Sequence, residues 1–299
     1  MDTNLKSLNN TGVVLVSHGS SLPYAEQTFT EIKNKFIKET GLPTEIGYMK
    51  VSKPTIAGAI DILKKNKDIN RIIALPVFLA AGIHTKIDIP LLLGLDALEI
   101  DPRCPDGNYP DQHYLSLADD VDFDGEIKLI NPIGPHPHLL DIIDKRIEEA
   151  LGASELEDVK TGILLVSHGS RLSYNKEFIS TVHEMFNEKC EYPNDFGFME
   201  LETPNIPTAI NKLLENNDIK RLVVIPVFIA PGVHTTSDIP TILGLKELEE
   251  HSHDHNHEHH HHHHHLEAIE FDGEILYPEP IGADDILIDI LKEKIENNI

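Results

Sequence analysis

The strongest constraint on the fold is an internal repeat that covers most of the chain. Residues 11–99 align with residues 161–249 without a gap, at an offset of 150, and 38 of the 89 aligned positions are identical. A period this long corresponds to one small domain and not to the unit of a solenoid. We therefore predict two similar lobes, residues 1–152 and residues 153–299, that arose by duplication.

Each lobe alternates strand-like and helix-like segments. Gly12–Ser17 is an unbroken β-rich run, which is typical of a buried parallel strand, and the segment after it has apolar residues at helical spacing. Further along lobe one, the pattern predicts a strand over Arg71–Leu79 and a helix over Ile87–Leu98. Alternation of this kind predicts an α/β fold, in which each lobe is a small parallel sheet flanked by helices.

The composition excludes several classes of protein. Acidic residues outnumber basic ones by 50 to 25, whereas nucleic acids and anionic membranes both require a basic surface. Cys104 and Cys190 are the only cysteines, too few for a disulfide framework or a Cys-based zinc site. The apolar runs are too short to span a bilayer, and the N-terminus lacks the apolar core of a secretory signal. We therefore expect a cytoplasmic protein with no nucleic-acid or membrane partner.

Residues that can carry chemistry follow the predicted strands in both lobes. Ser-His-Gly-Ser follows the first strand and contains His18 or His168, and Gly-x-His-Thr follows the third and contains His84 or His234. In lobe two, Glu200 stands at the end of the second strand. Because the carboxyl ends of parallel strands meet at one edge, these side chains predict a site that binds a metal or transfers protons. The alternative is that the histidines and their neighbouring glycines serve only tight turns.

A histidine-rich tract distinguishes lobe two. In His251–His265, 11 of 15 residues are histidine, and the internal position of the tract argues against a purification tag. Such a segment predicts a solvated loop whose imidazoles favour nickel, cobalt, copper or zinc, so metal capture is the sharper interpretation. The matching loop of lobe one, Asp101–Asp124, is mainly acidic and carries only His113.

Taken together, these motifs resemble those of the sirohydrochlorin cobaltochelatases and nickelochelatases, the small archaeal CbiX-type chelatases. The resemblance rests on the Ser-His-Gly-Ser motif with Tyr24 or Tyr174 behind it, on Gly197–Glu200, on Pro226–Pro240 and on the histidine tract before Glu279–Asp285. It covers essentially all of lobe two and most of lobe one. Short members of that family are about one lobe long and pair as homodimers, so the chain resembles such a dimer fused into a monomeric pseudo-dimer.

The resemblance implies insertion of cobalt or nickel into sirohydrochlorin, on a route to cobalamin or to the nickel tetrapyrrole of methanogens, with no cofactor beyond that substrate metal. It implies that His18, His84, His168 and His234 contact the metal, and that the catalytic groups are His18, His168 and Glu200. The tetrapyrrole contacts that we predict are Leu79, Ala80, Ala81, Gly82, Ile83 and His84 in lobe one, Ile229, Ala230, Pro231, Gly232, Val233 and His234 in lobe two, and Lys53 and Thr203.

The two lobes differ from each other and from that family at the second motif. Lobe one has Lys50 where lobe two has Glu200, and Lys53 and Thr203 stand where the family often has an acidic residue. We therefore predict that lobe two is the stronger catalytic half, and that Lys50 and Lys53 bind carboxylates of the substrate.

The residues leave other functions open. A metal storage or delivery protein would use the histidine tract as its working part, but it would not explain the duplicated histidines at the strand ends. A histidine phosphatase also has a His-Gly after its first strand, but Ser17 and Ser167 stand where that class needs an arginine for its phosphate. The sequence does not decide between cobalt and nickel, nor between one active site and two.

Overall fold

The structure, a computed structural model, describes residues 8, 10–215, 217–246 and 269–298 of the chain. The predicted loop His251–His265 lies outside these described residues. The strands are β1 (Thr11–Ser17), β2 (Thr44–Tyr48), β3 (Arg71–Pro76), β4 (Glu126–Leu129), β5 (Thr161–Ser167), β6 (Asn194–Phe198), β7 (Arg221–Pro226) and β8 (Glu274–Leu276). The α-helices are α1 (Pro23–Thr40), α2 (Ile56–Leu63), α3 (Ile89–Leu92), α4 (Pro137–Gly152), α5 (Tyr174–Asn187), α6 (Ile206–Glu215), α7 (Ile239–Ile242) and α8 (Asp285–Glu296).

The strands form two separate four-stranded sheets, one in each lobe. Their orders are β2-β1-β3-β4 and β6-β5-β7-β8, and every pairing is parallel. Since all strands of a sheet point the same way, the ends of β1, β2 and β3 share one edge, and so do those of β5, β6 and β7. We call each the carboxyl edge of its lobe. The predicted α/β fold with two similar lobes is confirmed.

Each sheet buries both of its faces, and for this reason its central strands have no polar alternation. In β1, Val13 and Leu15 point to one face and Val14 and Val16 to the other, and all four are fully buried. The face with Val14 and Val16 packs against α2 and α3. The face with Val13 and Leu15 belongs to a larger core that also contains the matching face of the second sheet. The two lobes therefore share one hydrophobic core.

The last helix of each lobe packs against the other lobe. Helix α4, from lobe one, lies against α5 and β7, while α8, from lobe two, lies against α1 and β3. Polar contacts join α4 to the segment that leads into α8: Lys145 Nζ donates to Asp284 Oδ2 over 2.6 Å, and Arg146 donates to the main-chain oxygens of Pro280 and Ile281 over 3.1 and 2.9 Å. Each lobe thus completes the core of its neighbour.

Two predicted elements of lobe one differ from those observed. Strand β3 ends at Pro76 and not at Leu79, because the chain leaves the sheet there towards His84. The helix predicted over Ile87–Leu98 is a π-helical turn, His84–Asp88, that continues into the single turn of α3. Gly94, with φ of 72°, reverses the chain soon after α3 ends. Within the described ranges, no helix combines the length and apolar character needed to cross a bilayer.

Candidate functional site

The first histidine of each lobe follows directly on a central strand. His18 comes after β1 and His168 after β5, and in both the ring Nδ1 donates to the main-chain oxygen of the next residue over 3.0 Å. That next residue is a glycine with positive φ, 88° at Gly19 and 92° at Gly169. The bond fixes the proton on Nδ1, so the lone pair on Nε2 points away from the main chain.

The second histidine of each lobe opens a π-helical turn. Four residues further on, the same turn places an aspartate beside the ring, and the two side chains hydrogen-bond. His84 Nδ1 lies 2.5 Å from Asp88 Oδ2, and His234 Nδ1 lies 2.7 Å from Asp238 Oδ2. A carboxylate that accepts the Nδ1 proton fixes the tautomer and orients the ring, as it does behind metal-ligating histidines. The sequence analysis did not single out either aspartate.

The two histidines of each lobe lie side by side at the carboxyl edge. Their ring centroids are 5.0 Å apart for His18 and His84 and 4.8 Å apart for His168 and His234, in edge-to-face arrangements. All four rings have their Nδ1 engaged, so each pair offers two Nε2 lone pairs. In the part of the chain that the structure describes, no group of three or more His, Cys, Asp or Glu is placed to hold a metal ion. Each pair therefore supplies only part of a coordination sphere.

The end of the second strand gives the two lobes opposite charges. Glu200 Oε1 lies 3.7 Å from His168 Nε2 in lobe two, and Lys50 occupies the matching position in lobe one. Burial, and then the neighbouring His234, lowers the pKa of His168. Burial, and then the Lys50 ammonium, lowers the pKa of His18 to about 4. Both first histidines are therefore neutral at pH 7, and among the described residues only the one in lobe two, His168, has a carboxylate within 4 Å of its Nε2.

A loop of lobe one supports its histidine pair from behind. Arg103 Nη2 donates to the fully buried Asp88, the partner of His84, and also to Asp101 Oδ2 over 2.7 Å. Tyr109 donates its hydroxyl to the same Asp101 oxygen over 2.7 Å. Asp238, by contrast, keeps about a third of its side chain exposed. The sequence analysis missed Arg103; a lone arginine in an acidic segment was the only available signal.

The remaining predicted residues are placed as follows. The stretches Leu79–His84 and Ile229–His234 run along the carboxyl edges and are half-buried, apart from the exposed Val233. Lys53 and Thr203 are exposed and each precedes a proline. His113 stacks on aromatic rings within the loop Asp101–Asp124.

The two carboxyl edges adjoin each other. Tyr24, at the start of α1, lies with its hydroxyl 3.4 Å from Thr236 Oγ1 of the opposite lobe. Tyr174, at the start of α5, donates its hydroxyl to both carboxylate oxygens of Glu99 over 2.7 and 2.6 Å. Thr236 is two residues from His234, so these contacts join the surroundings of the two histidine pairs.

Each lobe is similar in sequence to known proteins of a single family. The CbiX family model matches residues 12–150 and again residues 162–298. The sirohydrochlorin cobaltochelatase of Methanothermobacter thermautotrophicus is 44% identical over 140 residues, which are 47% of this chain and 94% of the relative. That of Methanocaldococcus jannaschii is 50% identical over 139 residues, 44% of this chain and 95% of the relative. Each relative thus has about the length of one lobe.

Solved structures agree in fold over nearly the whole chain. SirB from Bacillus subtilis with Fe3+ superposes with a TM-score of 0.65 at 15% identity, over 97% of this chain and 97% of that one. The CbiX described as the terminal enzyme of siroheme biosynthesis in denitrifying bacteria superposes with a TM-score of 0.57 at 18% identity, over 97% and 99% of the two chains. With both lobes matched by the same family model and the whole fold shared, the chain belongs to the CbiX family.

Proposed function

We propose that this protein is a chelatase that inserts a divalent metal ion, with cobalt as the first candidate, into sirohydrochlorin. The curated relatives that match one lobe are named sirohydrochlorin cobaltochelatases. The observation that carries the proposal is the pair His168 and His234, whose Nε2 lone pairs lie together at a strand edge with Glu200 beside them. Two imidazoles can hold an ion while leaving the rest of its coordination sphere to the tetrapyrrole.

The chemistry of metallation assigns a role to each of these groups. Two pyrrole N–H protons must leave the tetrapyrrole as the ion sheds water and gains four nitrogen ligands. His168 is neutral at pH 7, so its Nε2 can bind the ion or accept a proton. His234 is the second ligand of the ion, and Asp238 orients its ring by accepting a hydrogen bond from Nδ1. Glu200 serves as a further base near His168, and Ile229–His234 and Thr203 contact the macrocycle.

The same proposal includes the class of the reaction, its metal and product, and the arrangement of the two lobes. The reaction is that of a lyase acting on cobalt or nickel, it needs no cofactor beyond the substrate metal, and the product leads towards cobalamin or a nickel tetrapyrrole. One chain acts as a fused pseudo-dimer of the lobes 1–152 and 153–299. The shared core and the exchanged helices α4 and α8 support this, because each lobe relies on its neighbour for cover.

The first experiment follows the visible spectrum of sirohydrochlorin with cobalt or nickel, with and without the protein. We expect the protein to accelerate the spectral change. The rate of this change should fall by about 100-fold or more in His168→Ala, since general acid–base groups typically contribute that much. His138→Ala is the control, because His138 lies exposed on the first turn of α4, where its ring contacts His136 and Asp141 and none of the residues at the carboxyl edges. No acceleration over the protein-free reaction with either metal would refute the chelatase assignment.

Deletion of residues 251–265 separates this function from metal storage or delivery. A chelatase should keep its turnover at saturating metal, because the histidine pairs at the strand ends are untouched. A storage protein should lose most of its bound metal. Loss of turnover at saturating metal, with unfolding by urea unchanged, would instead assign the tract a direct part in the reaction.

A further inference from the structure

The histidine pair of lobe one stands in a different electrostatic environment from that of lobe two. Glu200 contributes a negative charge 3.7 Å from His168, whereas the matching side chain in lobe one is the cation Lys50. Lys50 adjoins the first histidine of its lobe, because Lys50 N donates to the main-chain oxygen of His18 over 3.2 Å. A divalent cation bound by His18 and His84 would stand near this ammonium and be repelled by it.

Two buried carboxylates lie behind the lobe-one pair, Asp88 and Asp101, and they share the cation Arg103. Asp88 is fully buried, and it accepts hydrogen bonds from both His84 and Arg103. Arg103 therefore offsets one of these two negative charges, and the Lys50 ammonium offsets the other. Asp238, the counterpart of Asp88 in lobe two, is partly exposed, and among the described residues its side chain hydrogen-bonds to His234 alone. The two copies therefore share their imidazoles, but the charges of Lys50, Arg103, Asp88 and Asp101 sum to zero in lobe one, whereas Glu200 and Asp238 give −2 in lobe two.

Lys50 itself is acted on by the charge of Asp88 but forms no direct ion pair with a described residue. Among the described residues, no carboxylate lies within ion-pair distance of its Nζ, which instead sits 5.4 Å from the centre of the Tyr114 ring. The side chain is half-buried, and burial lowers its pKa. In a chain with a net charge of −25, a half-buried ammonium without a carboxylate partner is the kind of group that an anionic ligand would pair with.

We propose that lobe one does not take up the metal and that Lys50 instead binds a carboxylate of the tetrapyrrole, so that the metal is loaded from the lobe-two pair alone. This inference rests on the proposed function. The contacts Tyr24–Thr236 and Tyr174–Glu99 bring the two edges together, so one macrocycle can lie against both. Lys50 is then a specificity residue for the substrate, and His18 and His84 form part of the surface that binds the tetrapyrrole.

The first test measures binding of metal-free sirohydrochlorin, by fluorescence titration, to Lys50→Met and to the parent protein. We expect the substitution to weaken binding by about tenfold and to raise KM with little change in kcat, since a hydrogen bond to a charged group of this exposure contributes roughly that factor. Lys67→Met is the matched control, because Lys67 is exposed and lies just before β3, at the opposite edge of the same sheet.

The second test builds the lobe-two arrangement into lobe one. Lys50→Glu places a carboxylate beside His18, and we expect it to bind one more Co²⁺ per chain than the parent in equilibrium dialysis. The histidine tract is the same in both proteins and cancels in the difference. Thermal unfolding of both Lys50 variants confirms that they fold.

The outcomes separate this inference from the proposed function. Unchanged tetrapyrrole binding in Lys50→Met would overturn the carboxylate role, and no additional Co²⁺ in a folded Lys50→Glu would overturn the exclusion of metal by charge. In either case a parent protein that metallates sirohydrochlorin remains a chelatase. A parent protein that binds sirohydrochlorin through Lys50 but never metallates it would refute the chelatase reaction and leave this subsite standing.

Discussion

Gly19 and Gly169 hold the main chain in a conformation that other residues adopt only with strain. Both have φ near 90°, and a Cβ atom at either position would fall within 2 Å of a main-chain oxygen, that of Lys50 or that of Glu200. Each glycine therefore lets the loop after the first strand approach the end of the second strand. This close approach brings the first histidine next to the residue that distinguishes the lobes.

Gly169→Ala should damage both the fold and the site. Positive φ costs a non-glycine residue about 1–3 kcal/mol, and the overlap with the Glu200 oxygen adds a cost of similar size, so we expect the free energy of unfolding to fall by about 2–5 kcal/mol. Urea unfolding measures it. Gly152→Ala is the control, because Gly152 ends helix α4 with open space around it. Equal stability of the two variants would contradict the packing described here.

At the scale of elements, the loop after α3 is attached to the histidine turn through Arg103. The hydrogen bonds from Arg103 lower the pKa of Asp101, and both Asp88 and Asp101 are buried. Arg103→Met leaves two buried carboxylates without their cation, so we expect a loss of about 2–4 kcal/mol in the free energy of unfolding and faster proteolysis within residues 101–124. Both are measurable on the purified protein.

Arg103→Lys gives a graded control for that loop. Lysine keeps the charge but lacks the planar guanidinium that can bond two carboxylates at once. We therefore expect the free energy of unfolding of Arg103→Lys to lie between those of the parent and of Arg103→Met. Proteolysis of Arg103→Met at the parental rate would show that the loop is held by other contacts.

The sequence predicted those parts of the site that follow from local rules. The unbroken runs in β1 and β5 predict buried parallel strands, and parallel strands bring His18 and His84, or their copies, to one edge. The π-helical turns were not predicted, although the spacing of four residues between His84 and Asp88 is one at which helical side chains meet. Arg103 could not be predicted, because its partner Asp88 lies 15 residues away across a loop with no periodic pattern.

At the scale of the whole molecule, duplication has produced two halves that share their framework and differ in charge. The common core and the exchange of α4 and α8 hold both carboxyl edges in a fixed relation, as one substrate bound between them would require. Since each lobe keeps its histidines, the difference at Lys50 and Glu200 alters the electrostatics without altering the fold. Fusion into one chain makes such a difference possible, because in a homodimer both copies would carry the same residue.

The ion pair between the exchanged helices should contribute measurably to the stability of the whole chain. Asp284 has a nearly fully buried side chain that accepts a hydrogen bond from Lys145 of α4 and caps α8 through Ile286 N. Asp284→Asn keeps a good N-cap but loses the charge, so we expect the free energy of unfolding at pH 7 to fall by about 1–3 kcal/mol. Asp289→Asn, at an exposed position of the same helix, should change it by less than about 0.5 kcal/mol.

The stability difference between the parent and Asp284→Asn should depend on pH. Burial raises the pKa of Asp284, but the hydrogen bonds from Lys145 and Ile286 N and the charges of Lys145 and Arg146 together outweigh it, so the pKa lies below its usual value. The unfolded chain therefore binds this proton more readily, so the contribution of Asp284 is complete above the unfolded value of about 3.9 and is lost as the pH falls through the lower folded value. Measured by urea unfolding, the difference in free energy of unfolding between the parent and Asp284→Asn should be the same at pH 7 and pH 5 and should shrink below about pH 4. A gap that stays constant down to pH 3 would mean that the aspartate acts through packing and not through its charge.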